Sequence, residues 1–235
     1  DFDIISFLLG KKCISLSSYG SLKYFNSKNK PQGATDYCYD CPCKSTCPYD
    51  AYKIYLTNDV TGLKKGNTSW PCDTVVSNPT EEKLIEALKR SRYGRCVFAS
   101  DNNVVDHQVT AMEFEDQITA TFTMSAFSAF SYREITIMGT LGEIRGNQHT
   151  GLITVTPFGQ DSIVYDINKL ETDLSGHGGG DNRMLRDFFE ALDTKQYTVS
   201  STIENSMQSH FMAFAAEKSR LEGGKRLTIQ EITQK

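Results

Sequence analysis

Residues 117–127, QITATFTMSAF, alternate apolar and small polar side chains with a period of two. One face of the segment would carry Ile118, Ala120, Phe122 and Met124, and the other Thr119, Thr121 and Thr123. Successive side chains of a strand point to opposite faces of the sheet. The segment therefore predicts a strand whose apolar face packs on a core. Its threonine face can be solvated or can pack against another copy of the chain.

The same period of two extends on both sides of this segment. Six further strand candidates lie between residues 95 and 167, namely RCVFAS, VTAMEFE, REITIMGT, GEIRGN, GLITVTPF and SIVYDI. Links such as EDQ and GTLGE are too short for a crossover between parallel strands. The region therefore predicts a mainly antiparallel meander.

Helical patterns flank this strand region on both sides. They are DFDIISFLLG, PYDAYKIYL, NPTEEKLIEALKRS with Thr80 as cap, residues 181–193, and residues 202–222 with an apolar stripe of Ile203, Met207, Phe211 and Phe214. KKCISLSSYGSLKYF after the first helix predicts a strand with Ile14, Leu16 and Ser18 on one face, and RLTIQEI near the end predicts a last strand. The predicted fold class is α+β, an open antiparallel sheet with helices on one face. We expect a single domain over residues 1–235, with a long cysteine-rich irregular segment at about residues 26–79.

Composition narrows the class of protein. The chain has 235 residues, is 39% hydrophobic and carries a net charge of −4, so it lacks the basic footprint of a nucleic-acid-binding protein. The first apolar stretch, Ile4–Leu9, is too short to span a bilayer, and we expect no membrane partner. An odd count of seven cysteines favours reduced thiols and a cytoplasmic protein.

Residues 175–181, SGHGGGD, form the most unusual polar segment. The spacing fails the Gly-x-Gly-x-x-Gly pattern of a dinucleotide site and the Walker pattern of a phosphate loop. The segment predicts a loop that enters a helix capped by Asp181. His177 and the loop amides can then hydrogen-bond a polar ligand. The alternative is a plain glycine-rich turn with His177 in solvent.

Asp106 and His107 open a strand after a polar stretch, SDNNVVDHQ. Histidine titrates near neutral pH, so the pair can hold hydroxyl groups or move a proton. Period two places His107 and Asp106 on opposite faces of the strand. A packed, hydrogen-bonded histidine is the alternative.

Residues 38–47, CYDCPCKSTC, place Cys38, Cys41, Cys43 and Cys47 close together in sequence. Cys-x2-Cys is a known zinc knuckle, and Cys38, Cys41 and Cys47 with Cys72 make one candidate ligand set. Thiols packed in an irregular loop are the interpretation that we favour, because only one clean pair exists.

Six stretches in order resemble the C-terminal half of the Gfo/Idh/MocA oxidoreductases, which include glucose–fructose oxidoreductase and inositol dehydrogenases. They are DFDIISFLLG, ATDYCYDCPCKSTCPYDAYKIYL, GRCVFASDNNVVDHQVTAMEFE, ITIMGTLGEIRG, GHGGGDNRMLRDFFEAL and SHFMAFAAEKSRLEGG. The resemblance implies a dihydrodipicolinate-reductase-like open sheet that supplies the substrate pocket and a homo-oligomer interface. It also implies a separate N-terminal Rossmann domain that binds NAD or NADP.

The resemblance implies roles for particular residues. Asp1 and Asp3 match the tail of a catalytic His-Asp-x-Asp motif, so we expect its histidine directly before Asp1 and a catalytic lysine further upstream. This half would then orient a sugar or polyol substrate, first through His177 and Asp181 and secondly through Asp106 and His107. We expect no turnover by this chain alone. A non-catalytic carbohydrate-binding or assembly module is the alternative, which the threonine face motivates.

Overall fold

The structure is a computed structural model that describes residues 1–170, 175–195 and 203–234. The chain folds into two compact units. The first unit comprises residues 1–12 and 128–214, and the second comprises residues 13–127 and 215–235. The prediction that all 235 residues act as one domain stays a prediction.

Eight strands form two four-stranded sheets in the described part of the chain. They are β1 (Cys13–Ser21), β2 (His107–Phe114), β3 (Thr119–Ser125), β4 (Glu134–Met138), β5 (Gly142–Asn147), β6 (Leu152–Pro157), β7 (Ile163–Asp166) and β8 (Leu227–Thr228). The second unit holds the sheet β3–β2–β1–β8, and the first unit holds β4–β5–β6–β7. All neighbouring strands are antiparallel, which confirms the predicted α+β class.

Eight α-helical segments accompany the strands in the residues that the structure describes. They are α1 (Phe2–Leu9), α2 (Cys72–Val75), α3 (Glu81–Arg90), α4 (Ile167–Leu170), α5 (Ser175–Gly178), α6 (Gly180–Thr194), α7 (Ile203–Leu221) and α8 (Gln230–Thr233). The Thr80 hydroxyl accepts a hydrogen bond from the Lys83 amide, so α3 begins with the predicted cap. The predicted helix at residues 48–56 contains a π-helical turn, Lys53–Thr57.

Three strand predictions differ from the structure. RLTIQEI is a strand only at Leu227–Thr228, because the chain enters helix α8 at Gln230. RCVFAS is not a strand, because Arg95 makes only an isolated bridge with Tyr37 and Ala99 folds back onto the Cys96 carbonyl group. In β1, the pairing with β2 shifts between Cys13 and Ser15. This bulge leaves Ile14 exposed, although simple alternation places Ile14 on the same face as Leu16.

The core of the second unit is built on β1, β2 and the end of α7. Leu16, Met112 and Phe114 are buried there, and the Ser18 amide donates to the Ser219 hydroxyl at 2.9 Å. Ala215 and Ser219 of α7 are also fully buried. The buried positions of α7 within the second unit are small residues at helical spacing, which lets a helix approach a sheet closely.

The predicted apolar stripe of α7 is wrong. Met212, Ala215, Ala216 and Ser219 are buried, whereas Ile203, Met207 and Phe214 are exposed. The prediction was wrong because it followed the spacing of the large apolar side chains. None of the helices in the three described ranges is long and apolar enough to cross a bilayer.

Candidate functional site

His177 and Asp181 form an exposed pair at the start of α6. His177 Nδ1 lies 3.0 Å from both carboxylate oxygens of Asp181. The His177 side chain is 88% exposed and the Asp181 side chain 54%, so a ligand can reach both. The two residues that we expect to contact a substrate thus lie side by side. Their role toward a substrate stays a prediction.

The backbone around His177 explains why the pair can form. His177 has a φ of 51°, and Gly178 and Gly179 have φ values of 70° and 84°. Glycine adopts this left-handed region without steric cost, which lets the chain turn between α5 and α6. Gly179, and not Asp181, is the N-cap of α6, so the predicted cap is wrong. Asp181 lies in the first turn, where its negative charge is favourable.

Asp106 is buried immediately before β2 and anchors a chain turn. Its Oδ2 accepts hydrogen bonds from the amides of Tyr24 at 2.6 Å and Phe25 at 3.2 Å. Burial by itself raises the pKa of a carboxyl group, but the hydrogen bonds from Tyr24, His107, Lys23 and Phe25 lower the pKa of Asp106 to about 2. Asp106 is therefore ionised at neutral pH and is 3% exposed, so it positions its neighbours.

His107 receives its orientation from Asp106. The Nδ1 atom lies 2.8 Å from Asp106 Oδ1, and the His107 side chain is 42% exposed. Simple alternation puts the two side chains on opposite faces, but Asp106 precedes β2 and its carboxylate reaches the ring. Because Asp106 holds Nδ1, Nε2 is the ring nitrogen that can contact a ligand.

An aromatic cluster beside His107 was missed at the sequence level. Its members are Tyr24, Phe25, Tyr49, Phe98 and Phe127. Phe25 and Phe127 stack with ring centroids 5.7 Å apart, and the His107 ring lies 6.3 Å from Phe127. The five residues come from four separate segments, so no local pattern signals the cluster. The dipeptide Tyr24–Phe25 was the only local hint.

Asp1 and Asp3, the residues assigned to the motif tail, lie at the start of α1. Asp1 is the N-cap residue, but its side chain makes no capping hydrogen bond and pairs with the Arg133 guanidinium. Asp3 is exposed in the first turn of α1. Both residues and the His177–Asp181 pair belong to the first unit, whereas Asp106 and His107 belong to the second.

The candidate zinc ligands do not form one group. Cys38 packs with Ala51 and Leu88, whereas Cys72 packs in another cluster with Leu56 and Leu84. The Cys72 thiol lies 3.3 Å from the carbonyl oxygens of Tyr55 and Thr61. Within residues 1–170, 175–195 and 203–234, no three His, Cys, Asp or Glu side chains are arranged to hold a metal ion. None of the seven cysteines, all of which lie within residues 1–170, forms a disulfide bond.

The glycine-rich segment does not fit a dinucleotide. Pyrophosphate binding in a Rossmann fold uses a glycine turn that connects a strand to a helix. Residues 175–178 are helical and Gly179 leads directly into α6, so this segment connects two helices. The segment therefore lacks the strand-to-helix turn that a dinucleotide requires.

Comparison with known proteins identifies the family. The Gfo/Idh/MocA family model, described as "Oxidoreductase family, C-terminal alpha/beta domain", matches residues 1–229. "Putative oxidoreductase YteT" of Bacillus subtilis (strain 168) is 22% identical over 216 residues, which cover 86% of this chain and 48% of that protein. The chain thus spans about half the length of this curated relative.

Two solved structures align with nearly the whole chain. A "putative oxidoreductase" from Thermotoga maritima has a TM-score of 0.48 and 11% identity, and the alignment covers 97% of this chain and 44% of that one. The super-repressor mutant of Gal80p from Saccharomyces cerevisiae has a TM-score of 0.49 and 10% identity, with coverages of 98% and 47%. Because the family model matches almost every residue, this chain belongs to the Gfo/Idh/MocA oxidoreductases as their C-terminal α/β domain.

Proposed function

We propose that this chain is the substrate-binding and oligomer-forming part of an NAD(P)-dependent dehydrogenase that acts on a secondary alcohol of a sugar or polyol. The observation that carries the proposal is the exposed His177–Asp181 pair in a chain that belongs to an oxidoreductase family. The cofactor, NAD or NADP, is held by a part of the full-length protein outside the described residues. We also propose a cytoplasmic location.

The chemistry of the His177–Asp181 pair suits a polyhydroxylated ligand. A carboxylate oxygen of Asp181 accepts a hydrogen bond from one hydroxyl group. The His177 ring donates to or accepts from a neighbouring hydroxyl through Nε2, because Nδ1 faces Asp181. The pair therefore recognises two adjacent hydroxyl groups and so selects sugars and polyols over simple alcohols.

Within the second unit, His107 forms a candidate polar contact of similar design. Asp106 fixes the ring through Nδ1, and the surrounding aromatic cluster supplies apolar surface. Aromatic faces beside a polar group are typical of ligand pockets. We propose that His107 contacts substrate directly, whereas Asp106 acts by positioning that histidine.

An apolar end of the β4–β7 sheet supports the proposed homo-oligomer. Met138 and Leu141 are each 82% exposed, and Phe158 is 65% exposed. The Phe158 amide donates to the Leu141 carbonyl oxygen, so these two side chains belong to one end of the sheet. Large apolar side chains exposed together at one end of a sheet favour a protein–protein interface.

A dehydrogenase screen of the full-length protein tests the proposal. The purified protein is assayed with a panel of sugars and polyols and with NAD and NADP, and the absorbance of the reduced nicotinamide is followed. We expect turnover with at least one substrate, and no turnover by residues 1–235 alone. Saturable sugar binding without turnover by the full-length protein would instead support a non-catalytic carbohydrate-binding module.

A further inference from the structure

Five of the seven cysteines line one pocket in the second unit. They are Cys38, Cys41, Cys43, Cys47 and Cys96. The pocket has a volume of about 20 Å³, which admits a water-sized molecule. Cys41 is 8% exposed, while Cys43 and Cys47 are half-buried. A small oxidant that enters the pocket can therefore contact several thiols.

Cys41 and Cys43 are separated only by Pro42 and line the same pocket. Hydrogen-bonding interactions with Thr35 and Cys43 favour the ionised form of Cys41 and so lower the pKa of its thiol. The Cys43 sulfur also lies 3.5 Å from the Gln32 carbonyl oxygen. Two sulfur atoms held together in this way need little movement to form a covalent bond.

The electrostatics distinguish Cys41 from the other cysteines. Burial opposes ionisation of Cys41, but the hydrogen bonds from Thr35 and Cys43 outweigh it and lower the pKa of its thiol. By contrast, the pKa values of the Cys13, Cys38, Cys43 and Cys72 thiols are raised, and burial is the main reason. A thiolate, and not a thiol, is the attacking species in oxidation.

We propose that Cys41 and Cys43 form an oxidisable dithiol, in which Cys41 reacts with a peroxide and Cys43 resolves the product to a disulfide. The proposed pair includes neither Asp106 nor His107, although Tyr49 and Phe98 of the aromatic cluster also line the cysteine pocket. The proposal does not depend on the proposed dehydrogenase activity. A redox pair agrees better with the geometry than a metal site does, because the described thiols are not arranged around a common point.

The two steps balance with hydrogen peroxide as the oxidant. The Cys41 thiolate attacks one peroxide oxygen, an S–O bond forms, and the O–O bond breaks to release hydroxide, which takes up a proton. The sulfur is oxidised to sulfenic acid and the peroxide is reduced to water. The Cys43 thiol then attacks the Cys41 sulfur, an S–S bond forms, and the S–O bond breaks. The departing oxygen leaves as water with the Cys43 proton.

Thiol counting on the folded protein tests the proposal. Reduced residues 1–235 are treated with hydrogen peroxide, and differential alkylation with mass spectrometry then assigns each oxidised residue. We expect the wild-type protein to lose two free thiols, at Cys41 and Cys43, and to regain both with a reducing agent. In Cys43→Ser, we expect a sulfenic acid at Cys41 that dimedone traps.

Cys47→Ser is the matched control, because Cys47 is half-buried in the same pocket. We expect this variant to form the Cys41–Cys43 disulfide as the wild type does. Three results would overturn the proposal: seven free thiols after oxidation, a disulfide between another pair, or about one equivalent of bound zinc that protects Cys41 and Cys43. Trp70 fluorescence reports whether each variant is folded, since Trp70 belongs to the same unit.

Discussion

Asp106 shows how one buried carboxylate can organise a binding surface. Its oxygens accept hydrogen bonds from the amides of Tyr24 and Phe25 and also face the His107 ring. A single side chain therefore fixes both the backbone turn and the orientation of the imidazole. Hydrogen bonds to an ionised acceptor are stronger than those between neutral groups. Removing the carboxylate leaves buried amides without their partner.

We predict that Asp106→Ala destabilises the second unit by about 2–3 kcal/mol, the cost typical of unsatisfied buried donors that bonded a charged group. Asp106→Asn keeps one acceptor oxygen and should cost less. Urea unfolding followed by Trp70 fluorescence measures the change. Asp161→Asn, at an exposed position, is the control and should change stability by less than about 0.5 kcal/mol. Equal stability of wild type and Asp106→Ala would contradict the anchoring role.

The pH dependence of this effect has a definite sign. The pKa of Asp106 is lowered to about 2 in the folded state, below the value of about 3.9 for an unperturbed aspartate. The stabilisation is therefore fully present above about pH 5 and is lost as the pH falls toward 2. We expect the stability difference between wild type and Asp106→Ala to shrink over that range. A constant difference from pH 6 to about pH 3 would contradict the assignment.

At the residue scale, the sequence indicated the His177–Asp181 and Asp106–His107 pairs because each pair is local in the chain. It did not indicate that the Asp106 carboxylate accepts hydrogen bonds from backbone amides, because Tyr24 and Phe25 lie about 80 residues earlier in the chain. The aromatic cluster was missed for the same reason. Contacts between distant segments leave no local periodicity.

At the scale of elements, α7 shows the limit of apolar periodicity. Ile203, Met207 and Phe214 have the right spacing for a buried stripe, yet all three are exposed. The helix instead buries small residues and Met212, whose sulfur lies 3.5 Å from the Ser6 hydroxyl oxygen. The prediction chose the face with the large apolar side chains, whereas the helix packs through the face with the small residues.

We predict that Met212→Ala costs about 2–4 kcal/mol, because Met212 is fully buried and its truncation leaves a cavity. Phe214→Ala, two residues further along the same helix, should cost less than about 1 kcal/mol because Phe214 is 59% exposed. Urea unfolding monitored by circular dichroism compares the two. If Phe214→Ala lowered the free energy of unfolding more than Met212→Ala, the apolar stripe predicted from the sequence would be supported instead.

Strand prediction succeeded where alternation is uninterrupted, as in β3, and failed where local geometry interrupts it. The bulge at Cys13–Ser15 reverses the facing of Ile14 without any signal in residue type. RCVFAS has strand-like composition, but its amides bond to a loop and a turn instead of a neighbouring strand. Hydrogen-bond partners, which composition does not encode, decide such segments.

At the scale of the whole molecule, the sequence predicted antiparallel pairing but not the distribution of strands between two sheets. Short links require β4 to β7 to pair in order, and they do. The partner of β1 is β2, about 90 residues later, with β8 on its other side. Alternation identifies a strand but does not say which sheet it joins.

The exposed apolar end of the β4–β7 sheet leads to a prediction about assembly. We expect the protein to form a homo-oligomer, and Leu141→Asp to weaken it, because a charge at a buried apolar contact is costly. Val60→Asp is the control at an isolated exposed valine of the second unit. Light scattering after size-exclusion chromatography measures the mass of each variant. A wild-type monomer would refute this proposal and leave the substrate role untouched.

The substrate role of this chain is tested most directly by His177→Ala in the full-length protein. Exposed pairs contribute at most about 1 kcal/mol to stability, so the variant should remain folded. With a turned-over sugar or polyol, we predict that KM rises about tenfold or more, the effect of losing about 1.4 kcal/mol of binding free energy. Affinity for the reduced nicotinamide cofactor should not change. His210→Ala, at an exposed histidine of the same unit, should behave as wild type. An unchanged KM, or a loss of cofactor affinity in its place, would contradict the account.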